Sequence, residues 1–297
     1  MSNDVHGPPS ATLSTVEPKE DDYEGPSAAF SVHRCDDSDL TSRSETTAWG
    51  SYEAAQLLTY DGAGTVLEAP IDSGKFLLGA PSFGSIGTWF CPGPFRMKPI
   101  PYPFHEFMLM VKGHVTLYDE HNRSVLDVHA GECFFIPQGF VCSWAHDGEE
   151  VQKLFVTQTG TDGREIGRPF RVLPSEAAMH AESNEVLFEH AEGAGAPPRW
   201  CFRLSRITSP PLHSTIVSPS SEPALRVFVP LCGSSLSLHA QSTADGAVQQ
   251  ESHSVGVGQL AIVGGGDYRL TQFSTDSPEL ACQFVLVELR SMKSDSV

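Results

Sequence analysis

The feature that most narrows what this chain can fold into is a series of short apolar runs between residues 84 and 160. They are GTWF, FHEFMLMV, HVTLYD, SVLDV, ECFFIP, FVCSWAH and QKLFVTQ. Each is rich in β-branched or aromatic residues and is closed off by Gly, Pro, Asn or Asp, which end strands and make turns. YDEHNRSV supplies a hairpin turn. Seven such runs in so short a stretch describe a β-sandwich or barrel.

A second series follows residue 200: CFRLSRI, LRVFVP, SLSLHAQ, GQLAIVG, YRLTQF and ACQFVLVEL. The last is almost continuously apolar, as a strand covered on both faces should be. The two series share a punctuation. Gly113 precedes HVTLYD, and GECFFIPQG (131–139) places five strand residues before Pro-x-Gly. Gly233 precedes SSLSLHA, and GQLAIVGGG (258–266) repeats the spacing with Gly-x-Gly. A duplicated barrel accounts for both. Residues 1–42 read as an acidic disordered arm, of which only AAFSV (28–32) has the character to dock. PSEAAMHAESNEVLFEH (174–190) reads as a helix capped by Ser175, and GAGAPP as a linker. The expected organisation is therefore arm 1–42, first barrel 43–165, linker with helix 166–199 and degenerate second barrel 200–297.

Glu106, six residues and Gly113, together with Gly131, five residues, Pro137-x-Gly139, resemble the two motifs of the cupin superfamily. The wider run WFCPGPF…FHEFMLMVKGHVTLYD…AGECFFIPQGFVCSW…VQKLFV is similar to the bicupin branch typified by (S)-ureidoglycine aminohydrolase. The resemblance covers about residues 84–158 well, the second barrel weakly and the arm not at all. It implies an all-β fold of two cupin-type jelly-roll barrels. It also implies a metal-ligand set in the first barrel at four positions, occupied here by Ile100, Tyr102, Glu106 and Cys142. Only Glu106 is a usual ligand. In the second barrel the aminohydrolases hold manganese, and the matching positions here are Ser220, Glu222, Arg226 and Arg269. A guanidinium has no lone pair to offer and would repel a divalent ion, so that barrel is expected to be metal-free, with Glu222 paired to an Arg.

Strand parity places Tyr102, Glu106 and Met108 on one face of their strand and His105 on the other. A carboxylate at the head of so apolar a strand is either a site residue facing a cavity or a strand-end charge left in water. If it faces inward it meets Cys142 and Trp144. The candidate catalytic set is then Glu106 as acid/base, Tyr102 as hydrogen-bond donor and Cys142 as nucleophile, with Trp89, Met108, Phe135 and Trp144 as pocket wall. For each there is a plain structural reading as core. No cofactor is expected; the alternative is a divalent metal such as manganese on Glu106 with His105.

Acidic residues outnumber basic ones 37 to 19, for a net charge of −18, which disfavours nucleic acid and anionic membranes as partners. Seven dispersed cysteines without a C-x-x-C suggest reduced thiols and a cytoplasmic setting. The two functions that remain are a small-molecule enzyme acting on a polar, ureide-like metabolite in the first barrel, and a non-catalytic bicupin that binds a metabolite or a protein. A homodimer fits either.

Overall fold

The computed structural model describes residues 30–34, 47–48, 57–60, 66–67, 72–80, 84–97, 99–159, 167–175, 183–191, 199–209, 214–217, 224–232, 235–242, 249–263, 268–275 and 282–292. Every regular element among them is a strand. The first are β1 (Phe30–Arg34), β2 (Thr47–Ala48), β3 (Leu57–Tyr60), β4 (Val66–Leu67), β5 (Ser73–Ala80) and β6 (Gly84–Pro92). Next come β7 (Phe95–Met97), β8 (Ile100–Pro101), β9 (Phe104–Lys112), β10 (His114–Asp119), β11 (Ser124–His129) and β12 (Cys133–Ile136). They are followed by β13 (Val141–His146), β14 (Glu150–Thr159), β15 (Phe170–Val172), β16 (Ser183–Ala191), β17 (Arg199–Ser209) and β18 (Ser214–Val217). The last are β19 (Ala224–Cys232), β20 (Leu236–Ser242), β21 (Gln249–Val255), β22 (Gln259–Val263), β23 (Tyr268–Thr275) and β24 (Cys282–Met292). No helix among the described residues is long and apolar enough to cross a membrane.

Four sheets result, and their order exposes the duplication. In the first half one sheet runs β15-β12-β9-β14-β6-β5-β2; in the second its counterpart runs β1-β22-β19-β24-β17-β16. The other pair is β11-β10-β13-β7-β3-β4, with β8 also paired to β13, and β21-β20-β23-β18. The fold is all-β and cupin-type. The shared punctuation holds at the level of register. Ile136 lies opposite Glu106 on β9, and Val263, at the same place in the second motif, lies opposite Arg226 on β19.

Three hydrophobic clusters occupy this frame. One fills the first barrel between its two sheets, including Met108, Phe134, Leu117 and Trp144, and another fills the second, including Phe228, Leu238 and Phe284. The largest lies where the two big sheets pack face to face, joining Phe107, Phe135 and Val156 to Phe202, Val227 and Val287. Each such side chain contributes roughly 1.5–3 kcal/mol when fully buried. β9 is covered on both faces for this reason, whereas β10 alternates strictly, with Val115, Leu117 and Asp119 buried between half-exposed neighbours.

The turns carry the register. Gly113 has φ +76°, and a Cβ there would lie 2.3 Å from the Glu150 carbonyl oxygen, so no other residue joins β9 to β10 without a shift. In the β10–β11 hairpin, Asp119 Oδ1 accepts from the backbone N–H of His121 and Arg123 while Asn122 takes φ +61°.

Two expectations need correction. The helix over 174–190 is a strand across Ser183–Ala191, paired to β17; residues 176–182 lie outside the described set. Alanine and glutamate favour a helix locally, but pairing with a long neighbouring strand outweighs a propensity of a few tenths of a kcal/mol per residue. The arm is likewise not featureless: Phe30–Arg34 pairs antiparallel with β22, the place that β15 takes beside β12 in the first half. The remainder of residues 1–42 lies outside the described residues. Cys91, Cys133, Cys142, Cys201, Cys232 and Cys282 are all free thiols, and Cys35 is not described.

Candidate functional site

Glu106 points into the first barrel. It is 4% exposed, and both carboxylate oxygens are engaged. Oε1 accepts from Lys153 Nζ at 2.8 Å, and Oε2 accepts from the Tyr102 hydroxyl. Tyr102 is held in place by the second motif, because its N–H donates to the Phe140 carbonyl at 3.0 Å and its own carbonyl accepts from Gly139 N–H at 2.8 Å. The Pro-x-Gly turn thus positions the phenol as well as turning the chain.

Lys153 is the residue that the sequence reading missed. It sits on β14, 7% exposed, with its ammonium 4.5 Å from the centroid of the Trp144 ring, 5.3 Å from that of Trp89 and 3.2 Å from Met108 Sδ. The signal was present: in VQKLFV, parity puts Val151, Lys153 and Phe155 on one face, and the first and last belong to the barrel cluster. A lysine between two inward apolar residues must find a carboxylate or leave. The ring of Trp144 stacks on Tyr102 at 14°, with centroids 6.1 Å apart. Trp89 Nε1 donates to Asp72 Oδ2 at 2.8 Å. Burial pushes the Asp72 carboxyl above its usual range, against the opposing pull of that hydrogen bond and of Lys153.

Of the expected wall residues, Trp89, Met108 and Trp144 line this interior and Phe135 does not. Phe135 faces the second half, 4.5 Å from the ring of Phe188 and 5.4 Å from that of Phe202. Its neighbours Phe134 and Ile136 point inward instead. The error is one residue of parity. Glu106 and His105, the alternative metal pair, do not converge on one point, because neighbouring residues of a strand face opposite ways. His105 lies on the opposite face, buried between the halves, where Nδ1 accepts from Gln138 N–H at 3.1 Å and Nε2 meets His190 Nδ1 at 2.9 Å. We expect His105→Leu to lower stability by about 1–3 kcal/mol in urea denaturation without touching the barrel interior, since it removes a buried acceptor and a donor together.

Cys142 is beside the site but is no nucleophile. It is buried, and loss of hydration pushes its thiol up to about 12, so it stays protonated at neutral pH. Iodoacetamide at pH 8 should leave Cys142 unmodified in the folded protein and label it only in denaturant, as read by peptide mass spectrometry. Rapid labelling of the folded chain at that pH would contradict this placement.

A divalent metal does not fit the four cupin-motif positions. Ile100 and Tyr102 stand at two of them, and the one carboxylate already has an ammonium 2.8 Å away. A second cation there would meet direct repulsion. In the second barrel Arg226 is fully buried, and its Nε donates to Glu288 Oε1 at 3.2 Å. Glu288 on β24 is therefore one partner of this guanidinium. Ser220, Glu222 and the side chain of Arg269 lie outside the described residues. Each barrel thus buries one cation against one carboxylate, with the signs exchanged between corresponding strands: acid on β9 and base on β14, base on β19 and acid on β24.

Residues 79–155 match the family model described as EutQ-like cupin domain. No curated protein matches the chain. Among solved structures, similar chains include a cupin 2 conserved barrel domain protein from Leptotrichia buccalis, 11% identical over 81% of this chain and 98% of its own, with TM-score 0.47. They also include protein YlbA from E. coli, 12% identical over 81% and 92%, with TM-score 0.42. Bacillus subtilis oxalate decarboxylase, studied for its Mn(II) centres, is 13% identical over 76% and 74%, with TM-score 0.36. Similarity at this level carries nothing about activity.

Proposed function

We propose that this cupin-fold protein binds a small polar metabolite of the amide or ureide class in its first barrel, without a metal. The observation that carries the reading is the Lys153–Glu106 pair itself, buried between two indoles and capped by a phenol. A ureide presents a carbonyl acceptor and N–H donors at adjacent positions on a flat group. An ammonium can donate to the carbonyl, a carboxylate can accept from the N–H groups, and Trp144 offers a face for the plane. Among the buried residues around the pair, Tyr102, Trp89, Lys153 and Phe140 are the least buried, at 6–8% exposure.

Glu106 keeps a lone pair on each oxygen beyond its bonds to Lys153 and Tyr102, enough to accept from ligand N–H groups. Binding is therefore the function assigned, and the resemblance to ureidoglycine aminohydrolase is carried over as scaffold and ligand class, not as manganese-dependent deamination. The occupancy of both Glu106 oxygens also favours a second reading, a non-catalytic scaffold that recognises a protein. Tryptophan fluorescence separates the two. N-carbamoylglycine, allantoin and simple amides, titrated in turn, should quench Trp89 and Trp144 saturably for at least one of them. A flat response across the whole series would leave the scaffold.

A further inference from the structure

We propose a second site, outside the barrel interior, at which His114, His146 and Asp147 bind a borderline divalent ion of the zinc, cobalt or nickel type. The three residues each offer one ligand atom, and those atoms all lie within 4.8 Å of one another. They come together because β10 and β13 pair side by side and the turn after β13 begins at Asp147. His114 Nε2 already sits 3.1 Å from Asp147 Oδ1, with Asp147 exposed and free to swing.

His146 turns this from a surface ion pair into a site. It is 4% exposed, and its Nδ1–H donates to the His114 carbonyl at 2.7 Å. That bond fixes the proton on Nδ1 and leaves the lone pair on Nε2, which is buried and has no hydrogen-bond partner. An imidazole whose N–H is held by a backbone carbonyl while the other nitrogen waits is the arrangement that metal-ligating histidines adopt. Buried polar atoms are satisfied about nine times in ten, so an unpartnered nitrogen beside two other donors stands out as a ligand atom.

The surroundings agree. A Cβ on Gly148 would lie 2.7 Å from His146 Cε1 and 3.1 Å from Nε2, so this glycine leaves the turn close against the ring edge that carries the lone pair. Donors held about 2.1 Å from one ion lie roughly 3–3.6 Å apart, so closure asks for about 1 Å of movement among the three side chains. Two imidazoles and one carboxylate leave further positions for water or a ligand, and that donor set suits zinc, cobalt or nickel better than magnesium or calcium. The barrel pair plays no part in it.

The test is titration of the full-length, untagged, EDTA-stripped protein with Co2+, followed by its visible d–d bands, and with Zn2+ by calorimetry. One equivalent of each ion should bind. His114→Gln and Asp147→Asn, both at exposed or half-exposed positions that the fold does not need, should each weaken it on the order of 10–100-fold. Stoichiometric binding that both variants retain unchanged would overturn the assignment, as would the absence of cobalt bands in the wild-type protein.

Discussion

Lys153→Met is expected to cost about 3–5 kcal/mol, because it leaves the Glu106 carboxylate buried among Trp144, Met108 and Tyr102 with one oxygen stripped of its partner. Removing one member of a buried pair forfeits the attraction but keeps the desolvation of the other. Removing both does not. The double variant Lys153→Met with Glu106→Leu should therefore recover most of the loss, because apolar side chains of similar size suit an interior already lined by aromatic rings. Urea denaturation of the two single variants and the double variant measures the coupling. Equal losses in single and double variants would mean that the pair is not the structural unit described.

Arg226→Met is the second large effect, again about 3–5 kcal/mol, since Glu288 is left charged in the sealed centre of the second barrel. The comparison between the barrels is informative beyond its size. The pairs belong to separate clusters, so the losses from Lys153→Met and Arg226→Met should add within about half a kcal/mol. Strong non-additivity in the combined variant would show that the face-to-face packing of Phe107 and Phe135 on Phe202 and Val227 couples the two interiors.

Much of this architecture could be read from residue order, and the places where reading failed have physical reasons. Glycine and proline spacing located the motifs because positive φ and a missing N–H are local requirements, met at Gly113, Gly131 and Gly139. That spacing also aligned Arg226 with Glu106, and the strand register agrees. Parity grouped Glu106 with Tyr102 and Met108 but left open whether that face looked inward or to water. Lys153 was overlooked because its strand was read only for apolar content, although its position between Val151 and Phe155 gave the orientation. Phe135 was assigned to the wrong face because β12 is apolar at every position, so alternation gives no sign of which side is which. Ser183–Ala191 looked helical because its partner strand is distant information: nothing in VLFEH announces β17. The His114, His146 and Asp147 cluster was invisible for a similar cause, since thirty-odd residues separate members that only sheet pairing unites.

The charge pair in the first barrel also predicts the form of ligand binding. Calorimetric titration of N-carbamoylglycine into EDTA-treated protein tests this most directly, with the folded Lys153→Met, Glu106→Leu double variant alongside. A metal-free ammonium–carboxylate site predicts one-to-one binding that survives EDTA and vanishes in the double variant. Binding that returns only when manganese is added, or that the double variant retains, would contradict it.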